Sequence, residues 1–580
     1  MTSQRKRIVQ RPHLDSSELE TQAPPLIAQL YADRGISQPG QLDRSTKSLL
    51  PFTGLAGIEL ASQILADAIM AGKKLLIVGD FDADGATSTA LGMLAFRAMG
   101  AQVDYLVPNR FEFGYGLSPE IVQVANKRNP DLIVTVDNGI SSIEGVALAK
   151  QLGMKVVVTD HHLQGDAMPD ADAVVNPNQK ACEFSSKAAC GCAVIFYVLA
   201  AVRAELKARN WFEQRQLPEP NMAEYLDIVA LATVADVVPF DQNNRIFVQQ
   251  GIGRIRAGRC RPGILALLEV AGRNPGRLTT GDLGFAVGPR LNAAGRLDDM
   301  STGIECLLAD DPGRARELAQ TLDDMNQDRK AIEQDMQTQA LAFLSKFREM
   351  DNQEELPWGL CLYEPDWHEG VIGILASRIK DRVHRPVIAF AQTDTGDLKG
   401  SARSIPGFHI RDGLDVVAKK HPHVLSKFGG HAMAAGMSIA QEHFAEFTDA
   451  FDQEVRRQLS QQDLVAQILS DGALAPEQLT MATANLIREA GPWGQAFPEP
   501  IFDGQFALVQ QRIVGQKHLK LVLSPVGSQL LIDAIAFNID LDIWPSQAEF
   551  AQLAFKLDIN EYKGNQSLQL MVEYIEPINS

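Results

Sequence analysis

Five short apolar runs in the first third of the chain alternate with stretches of helical periodicity, and this alternation restricts the fold more than any other feature. The runs cover residues 75–78, 103–107, 132–136, 156–158 and 173–175. Helical patterns separate most of them, for example over residues 87–99 and 141–152. Buried strands that alternate with helices are typical of a parallel, doubly wound sheet. Binding sites in such sheets lie outside the carboxyl ends of the strands.

Three aspartates follow the first run at every second position, and they predict a divalent-metal site. In an extended strand end, Asp80, Asp82 and Asp84 would project to the same side and repel one another without a cation between them. Mg²⁺ and Mn²⁺ both prefer carboxylate oxygens. The pattern also resembles an EF-hand calcium loop, but that loop needs Glu at its twelfth position, where this chain has Leu91. A solvated acidic turn is the remaining alternative.

Acidic and imidazole side chains also follow the later apolar stretches. The segments are Asp137-Asn-Gly, Asp160-His161-His162, and Asp236 after an apolar stretch over 225–233 that suits either a helix or a strand. One aspartate after a strand is often only the N-cap of the next helix, but four clusters at one sheet edge exceed what capping requires. Oxygen ligands with one or two imidazoles predict a two-metal site that hydrolyses a phosphate ester.

Length and composition limit the class of protein. A chain of 580 residues suggests three to four domains. The net charge of −18 argues against a protein that coats nucleic acid, but it allows an enzyme with a local basic groove. The sequence has no apolar run long enough for a transmembrane helix and no signal-peptide pattern, so we expect no membrane partner. The six cysteines lack Cys-x-x-Cys spacing and predict reduced thiols in a cytoplasmic protein.

These acidic motifs, in this order, resemble those of the DHH phosphoesterase superfamily. The loop over 108–116 and the later segments are similar to the bacterial RecJ single-strand exonucleases, and the likeness runs from about residue 50 to the end. The resemblance implies an N-terminal extension (1–50), an α/β DHH catalytic domain (51–308), a connecting helix (309–350), a second α/β, DHH-associated domain that binds substrate (351–460), and an OB-type β-barrel that binds nucleic acid (461–580). Helical spacing over 310–350 and short alternating runs after 500 favour the helix and the barrel independently.

The resemblance also implies roles for individual residues. The expected metal ligands are Asp82, Asp84, Asp137, His161 and Asp236. The expected catalytic residues are Asp80, Asp160 and His162, with Asp160 orienting a histidine. The expected substrate-binding residues are Arg110, Tyr115, Arg290, Arg378, Ser401, Arg403 and His431. Several of these lie beside glycines, which let a backbone approach an anion closely.

The resemblance implies a 5′→3′ exonuclease that uses two Mn²⁺ or Mg²⁺ ions and releases 5′-mononucleotides from single-stranded DNA in repair and recombination. Single-strand-binding protein and a helicase are the expected protein partners. One alternative is a DHH-family phosphodiesterase that acts on short oligonucleotides, although those enzymes generally lack a C-terminal barrel. The other is an inactive DHH-like replication scaffold, which would lack metal ligands that this sequence retains.

Overall fold

The computed structural model describes residues 6–109, 116–350, 356–393, 396–425, 427–515, 517–539, 541, 543–562 and 564–578. These residues divide into two compact units. The catalytic unit comprises Asp15–Gln327 and Ala490–Glu499. The second unit comprises the described residues of Met1–Leu14, Asp328–Glu489 and Pro500–Ser580. The predicted boundaries at residues 50, 308, 350 and 460 stay predictions.

The catalytic unit is built on a five-stranded sheet. The elements up to the end of this sheet are β1 (Arg7–Gln10, in the second unit), α1 (Pro25–Ala32), α2 (Ile58–Met70), β2 (Lys74–Val78), α3 (Ala83–Ala98), β3 (Gln102–Leu106), α4 (Pro119–Asn126), β4 (Leu132–Val136), α5 (Ile143–Gln151), β5 (Lys155–Thr159) and β6 (Ala173–Val175). The strand order is β3-β2-β4-β5-β6, and every neighbouring pair is parallel. All five residues of β4 are buried, as expected for a central strand with both faces covered. The predicted doubly wound parallel sheet is confirmed.

Helices make up the rest of the catalytic unit. They are α6 (Gly191–Ala208), α7 (Trp211–Arg215), α8 (Leu226–Ala235), α9 (Gln242–Arg256), α10 (Pro262–Val270), α11 (Thr280–Asp282), a π-helical turn (Leu283–Val287), α12 (Gly288–Leu297), α13 (Ser301–Leu308) and the first part of α14 (Pro312–Met350). Helix α3 packs against α6 and α8, and α8 packs against α9. The sheet edge that carries the acidic clusters therefore faces helices from the middle of the chain.

The predicted geometry of the first acidic cluster is wrong. Strand β2 ends at Val78, so the three aspartates after it do not share an extended strand end. Asp82 instead caps α3, because its side chain accepts a hydrogen bond from Gly85 N, and Asp84 lies in the first turn of that helix. The stretch before Asp236, which suited either a helix or a strand, is helix α8, so Asp236 reaches the site from outside the sheet.

The second unit contains a mixed sheet and a barrel. Its remaining elements are β7 (Leu360–Tyr363), α15 (Ile372–Val383), β8 (Val387–Gln392), β9 (Leu398–Arg403), α16 (Ile410–Lys420), β10 (Lys427–Gly430), β11 (Ala434–Ile439), α17 (Phe444–Gln458), β12 (Gln467–Ser470), α18 (Met481–Ala490), β13 (Phe502–Val514), β14 (His518–Pro525), β15 (Ile532–Ala536), β16 (Phe550–Tyr562) and β17 (Asn565–Ile578). The sheet order is β10-β11-β9-β8-β7, and β13 to β17 form a closed barrel, which confirms the predicted second α/β domain and barrel. Strand β1 pairs in parallel with β12, a pairing that the polar N-terminal sequence did not predict.

No single helix in the described ranges has the length and apolar character to cross a membrane. One bent pair, Thr46–Gly54 with Ile58–Met70, meets the criteria by length and composition alone.

Candidate metal centre

The eight residues predicted for the metal and catalytic positions all lie in the catalytic unit. Seven of them form three overlapping groups in which one ligand atom per residue lies within 4.8 Å of the others: Asp80 with Asp82 and Asp137, Asp84 with His161 and Asp236, and Asp137 with His161 and His162. Asp137 belongs to two of these groups, as a ligand shared between two ions would. The predicted acidic and imidazole side chains therefore lie close together. Asp84 and Asp236 reach this place from helices rather than from strand ends.

His161 lies at the middle of this arrangement. Its Nε2 is 3.1 Å from Asp137 Oδ1, 3.6 Å from Asp236 Oδ2 and 3.9 Å from Asp84 Oδ2. Burial and the neighbouring His162 lower the pKa of His161 to about 4, so its imidazole is neutral at neutral pH. A neutral ring that faces three carboxylates can direct a nitrogen lone pair at a shared cation, which is how histidine binds metals.

The carboxylates around His161 are held in an environment that disfavours their charge. Burial, and next the charge of Asp82, raise the pKa of Asp84 to about 7. Burial and the charge of Asp84 raise the pKa values of Asp137 and Asp236 well above the ordinary value. The buried Asp236 Oδ2 accepts no hydrogen bond from any residue in the described part of the chain. Buried carboxylates in this state need protons or a cation, and oxygen-rich ligands with imidazole fit Mn²⁺ or Mg²⁺.

The N-terminus of helix α6 holds Asp84 in place. Gly191 N donates to Asp84 Oδ2 at 2.6 Å, and Cys192 N donates to Oδ1 at 2.9 Å. These amides are the first free N–H groups of the helix, where the helix dipole favours an anion. A Cβ on Gly191 would lie 2.7 Å from both Cβ and Oδ1 of Asp137, so glycine allows α6 to approach the site this closely.

Asp137 follows strand β4 in an unusual backbone conformation. Its φ is +60°, the left-handed region that non-glycine residues rarely adopt and that is enriched at functional sites. The next residue, Asn138, is buried and donates from Nδ2 to the carbonyls of Val78 at 3.0 Å and Val136 at 2.9 Å. Asn138 thus ties the ends of β2 and β4 together and fixes the turn that presents Asp137.

Asp160 and His162 form a hydrogen-bonded pair beside the ligand groups. His162 Nδ1 lies 2.7 Å from Asp160 Oδ1, and Asp160 Oδ2 accepts from Ile140 N at 2.9 Å. Burial opposes ionisation of Asp160, but its hydrogen bonds to His162 and Ile140 lower its pKa overall. Burial likewise opposes protonation of His162, but Asp160 and the nearby Asp80 raise its pKa overall. The pair therefore favours an imidazolium held by a carboxylate, an arrangement compatible with the orienting role expected of Asp160, which stays a prediction.

Arg290 lies on α12 in the catalytic unit and is largely buried. Its Nη2 lies 2.7 Å from Asp323 Oδ1 and its Nη1 donates to Ala286 O at 2.7 Å. Its Nε is buried and makes no hydrogen bond within the described residues, and the phosphate contact expected of Arg290 stays a prediction. Arg110 and Tyr115 lie outside the described residues, and their expected roles stay predictions.

Four other predicted substrate-binding residues lie in the second unit. Ser401 and Arg403 follow each other on one face of β9, and Arg403 Nη1 donates to Ser401 Oγ at 3.1 Å. His431 lies in the turn between β10 and β11, and β11 pairs with β9 so that Ala434 opposes Arg403. The structure therefore places Ser401 and Arg403 on β9, and His431 in the turn that leads into the neighbouring strand β11.

The fourth of these residues, Arg378, lies on α15. Its Nε donates to Glu333 Oε1 at 2.8 Å, while Arg329 Nη1 donates to Glu333 Oε2 at 2.7 Å. The N-terminal turn of α15 lies beside the serine and arginine of β9, since a Cβ on Gly373 would be 3.0 Å from Ser401 Oγ. Sequence analysis did not identify Glu333 as the partner of Arg378.

Sequence analysis also missed three residues that support the metal centre. Asn138 lies within a motif that was recognised, but only its aspartate was interpreted. Gly191 lies between two cysteines that were interpreted only as reduced thiols, and Cys190 and Cys192 are free and buried. Asn292 lies two residues after Arg290, which was expected to bind substrate. In each case the signal was a small or amide residue beside a recognised motif, and the contact it makes joins positions far apart in sequence.

A parallel sheet with a carboxylate and imidazole centre at the carboxyl ends of its strands defines a metal-dependent phosphoesterase of the DHH type. Three family models match the chain: "DHH family, N-terminal domain" at residues 74–233, "DHHA1 domain" at 358–457 and "RecJ OB domain" at 470–574. The chain belongs to the RecJ family of exonucleases.

Similar proteins support this assignment over nearly the full length. The chain is 54% identical to the single-stranded-DNA-specific exonuclease RecJ of Salmonella typhimurium over 577 residues, which are 99% of this chain and 100% of that protein. It is 54% identical to that of Escherichia coli K12, over 97% of this chain and 98% of that protein. The structure of Thermus thermophilus RecJ in complex with Mn²⁺ matches with a TM-score of 0.79 at 27% identity, over 99% of this chain and 80% of that chain. The structure of its complex with Mg²⁺ matches with a TM-score of 0.74 at 26% identity, over 99% of this chain and 78% of that chain.

Proposed function

We propose that this chain is a divalent-metal-dependent exonuclease that hydrolyses single-stranded DNA. The observation that carries the proposal is the pair of ligand groups joined by Asp137, one with Asp80 and Asp82 and one with His161. Its relatives at 54% identity are named for the same activity. All the predicted ligands are present, which argues against an inactive scaffold.

The expected ligands are Asp82, Asp84, Asp137, His161 and Asp236, with Asp80 close enough to serve as another. Two bound ions would lower the pKa of a water and neutralise charge on the attacking and leaving oxygens of the phosphodiester. The chain itself supplies the spacing of the carboxylates, because backbone amides of α6 fix Asp84 and Asn138 fixes the turn at Asp137.

His162 has the chemistry of a general acid for the leaving oxygen. Asp160 holds its Nδ1 at 2.7 Å and favours the protonated ring, and 36% of the His162 side chain is exposed. The proton on Nε2 would then be available to the departing oxygen of the DNA. Asp160 would keep its charge throughout and act by orienting the imidazole.

Phosphate binding is proposed for the polar groups of the second unit and, separately, for Arg290 of the catalytic unit. Ser401 and Arg403 lie on β9, His431 lies in the turn before the neighbouring strand β11, and Arg378 lies on α15. Arginine and hydroxyl donors next to glycine-rich backbone are suited to non-bridging phosphate oxygens. Arg110 and Tyr115 are proposed to bind the 5′ end, which gives 5′→3′ polarity and release of 5′-mononucleotides.

The test is digestion of single-stranded DNA that carries a label and a blocking group at one end or the other. We expect Mn²⁺-dependent release of mononucleotides from a strand blocked at its 3′ end, little release from a strand blocked at its 5′ end, and little from a duplex. Release only from a free 3′ end would refute the polarity. Faster hydrolysis of dinucleotides than of long strands would favour the short-oligonucleotide phosphodiesterase, and no hydrolysis with either metal would favour the scaffold.

The cellular setting belongs to the same proposal. We place the activity in the cytoplasm, in DNA repair and recombination, with a helicase that supplies single strands and single-strand-binding protein that covers them. Acceleration of digestion when both are added to a duplex with a single-stranded end would support this setting. An unchanged rate would count against both partners.

A further inference from the structure

The loop from Asp80 to Asp84 is not shaped by strand geometry. Strand β2 has ended at Val78, and α3 begins at Ala83, so Asp80 and Asp82 lie on the connection between them and Asp84 lies in the first turn of the helix. Loop conformations of this kind depend on contacts from other elements. Helix α12, which carries the expected substrate-binding residue Arg290, makes those contacts.

Two residues of α12 contact the loop. Asn292 Oδ1 accepts a hydrogen bond from Ala83 N at 2.9 Å. Gly295 lies so close to Phe81 that a Cβ would be 1.8 Å from its carbonyl oxygen and 3.0 Å from its carbonyl carbon. The hydrogen bond satisfies a free N–H at the start of α3, and the absence of a side chain on Gly295 lets the helix lie directly against the loop.

Helix α12 is itself anchored within the catalytic unit. Arg290, one and a half turns before Gly295, pairs with Asp323 at 2.7 Å, and both side chains are about nine-tenths buried. Its Nη1 also donates to the carbonyl of Ala286 in the preceding turn. A buried ion pair of this kind fixes orientation even where its net contribution to stability is small. The helix can therefore hold the loop at a fixed position.

We propose that Asn292 and Gly295 are positioning residues for the metal centre, which set the spacing of Asp80, Asp82 and Asp84. The inference rests on the metal dependence in the proposed function but not on the identity of the substrate. Partners outside the ligand set typically change metal affinity by about 10- to 100-fold when removed. A phosphate-binding role for the same helix would instead affect the binding of DNA.

The first test is Asn292→Ala, compared with Asn292→Asp, which keeps an oxygen that can accept from Ala83 N. We expect calorimetric titration to give an Mn²⁺ Kd about tenfold or more weaker for the alanine variant. The aspartate variant should recover most of that affinity. At saturating Mn²⁺ the KM for single-stranded DNA should stay close to that of the unaltered protein. The electron paramagnetic resonance spectrum of bound Mn²⁺ should change in the alanine variant only.

The second test separates local spacing from a general effect on helices. Gly295→Ala should weaken Mn²⁺ binding by a similar factor, because its Cβ displaces Phe81. The matched control is Gly253→Ala in α9, where a Cβ would meet no described atom within 4 Å, and where Mn²⁺ affinity should not change.

An unchanged Mn²⁺ Kd in both Asn292→Ala and Gly295→Ala, with a raised KM for DNA, would overturn the proposal in favour of phosphate binding alone. Loss of folding of Asn292→Ala without metal would also overturn it, because removal of one hydrogen bond should leave the fold intact. If the unaltered protein binds Mn²⁺ but hydrolyses no DNA, the proposed function fails while the calorimetric comparison still decides the role of α12.

Discussion

The metal centre should exchange protons for cations, and this makes Mn²⁺ affinity depend on pH in a calculable way. In the metal-free protein the pKa of Asp84 is about 7, because the side chain is buried beside Asp82. A ligand with that pKa is about one-tenth ionised at pH 6 and about nine-tenths ionised at pH 8. Metal ions bind the ionised form, so the affinity should fall about tenfold from pH 8 to pH 6, which is about 1.4 kcal/mol.

The other titrating ligands only increase this effect. Burial, and next the charge of Asp84, raise the pKa values of Asp137 and Asp236 well above the ordinary value, so these carboxyls also favour the protonated form that a cation must displace. His161 does not oppose the trend, because its pKa of about 4 leaves it neutral over the whole range. A fall in Mn²⁺ affinity of about tenfold from pH 8 to pH 6 is therefore the minimum that the structure predicts.

The assay is isothermal titration of Mn²⁺ into the metal-free protein at pH 6 and pH 8, each in two buffers of different ionisation enthalpy. The buffer dependence should report release of about one proton or more per protein at pH 6. Asp227→Asn is the matched control, because Asp227 is a buried carboxyl outside the ligand groups whose oxygens accept from Ile228 N and Arg261 N. Its proton release should equal that of the unaltered protein. An Mn²⁺ Kd that is equal at both pH values, without proton release, would refute the reasoning.

Three substitutions test the roles of individual residues. Asp137→Ala should reduce hydrolysis by at least about 100-fold and weaken Mn²⁺ binding, because it removes the carboxylate common to two ligand groups; normal turnover would exclude the two-metal assignment. Asp160→Asn should lower kcat by about 10²- to 10⁴-fold while Mn²⁺ affinity is retained. Because the pKa of His162 falls in this variant, activity should be lost at a lower pH on the alkaline side of the pH profile. An unchanged pH profile would contradict a role of His162 as general acid. His431→Ala should raise the KM for single-stranded DNA and leave the Mn²⁺ Kd unchanged. A raised Mn²⁺ Kd would mean that the assignment of His431 to substrate binding is wrong.

The sheet and its functional edge could be predicted because both depend on local patterns. Runs such as residues 132–136 are short, apolar and rich in β-branched side chains, and helical stretches separate most of them. Once the sheet is parallel, topology alone brings the ends of β2, β4 and β5 to one edge. The residues that follow those strand ends therefore lie close together, regardless of the details of packing.

The geometry within that edge could be predicted less well. The argument that Asp80 and Asp84 share an extended strand failed because Asp82 is a good N-cap, and the helix begins at Ala83 rather than at residue 87 as the helical pattern predicted. The contacts of Gly191 N with Asp84 and of Arg290 with Asp323 join distant parts of the chain. Backbone amides carry no signal in sequence, and a buried arginine gives no indication of which carboxylate it meets.

The groups that hold the carboxylates explain how the centre can be preformed without a cation. Asp84 is fixed by two backbone amides of α6, which supply hydrogen bonds and partial charge but no full charge. They orient the side chain while its charge remains uncompensated, so its pKa stays near 7 and a cation gains the full benefit of neutralising it. A lysine or arginine in the same place would have stabilised the carboxylate and competed with the metal. Orientation by uncharged groups, the α6 amides that donate to Asp84 and the Asn292 oxygen that accepts from Ala83 N, therefore separates the geometry of the site from its charge.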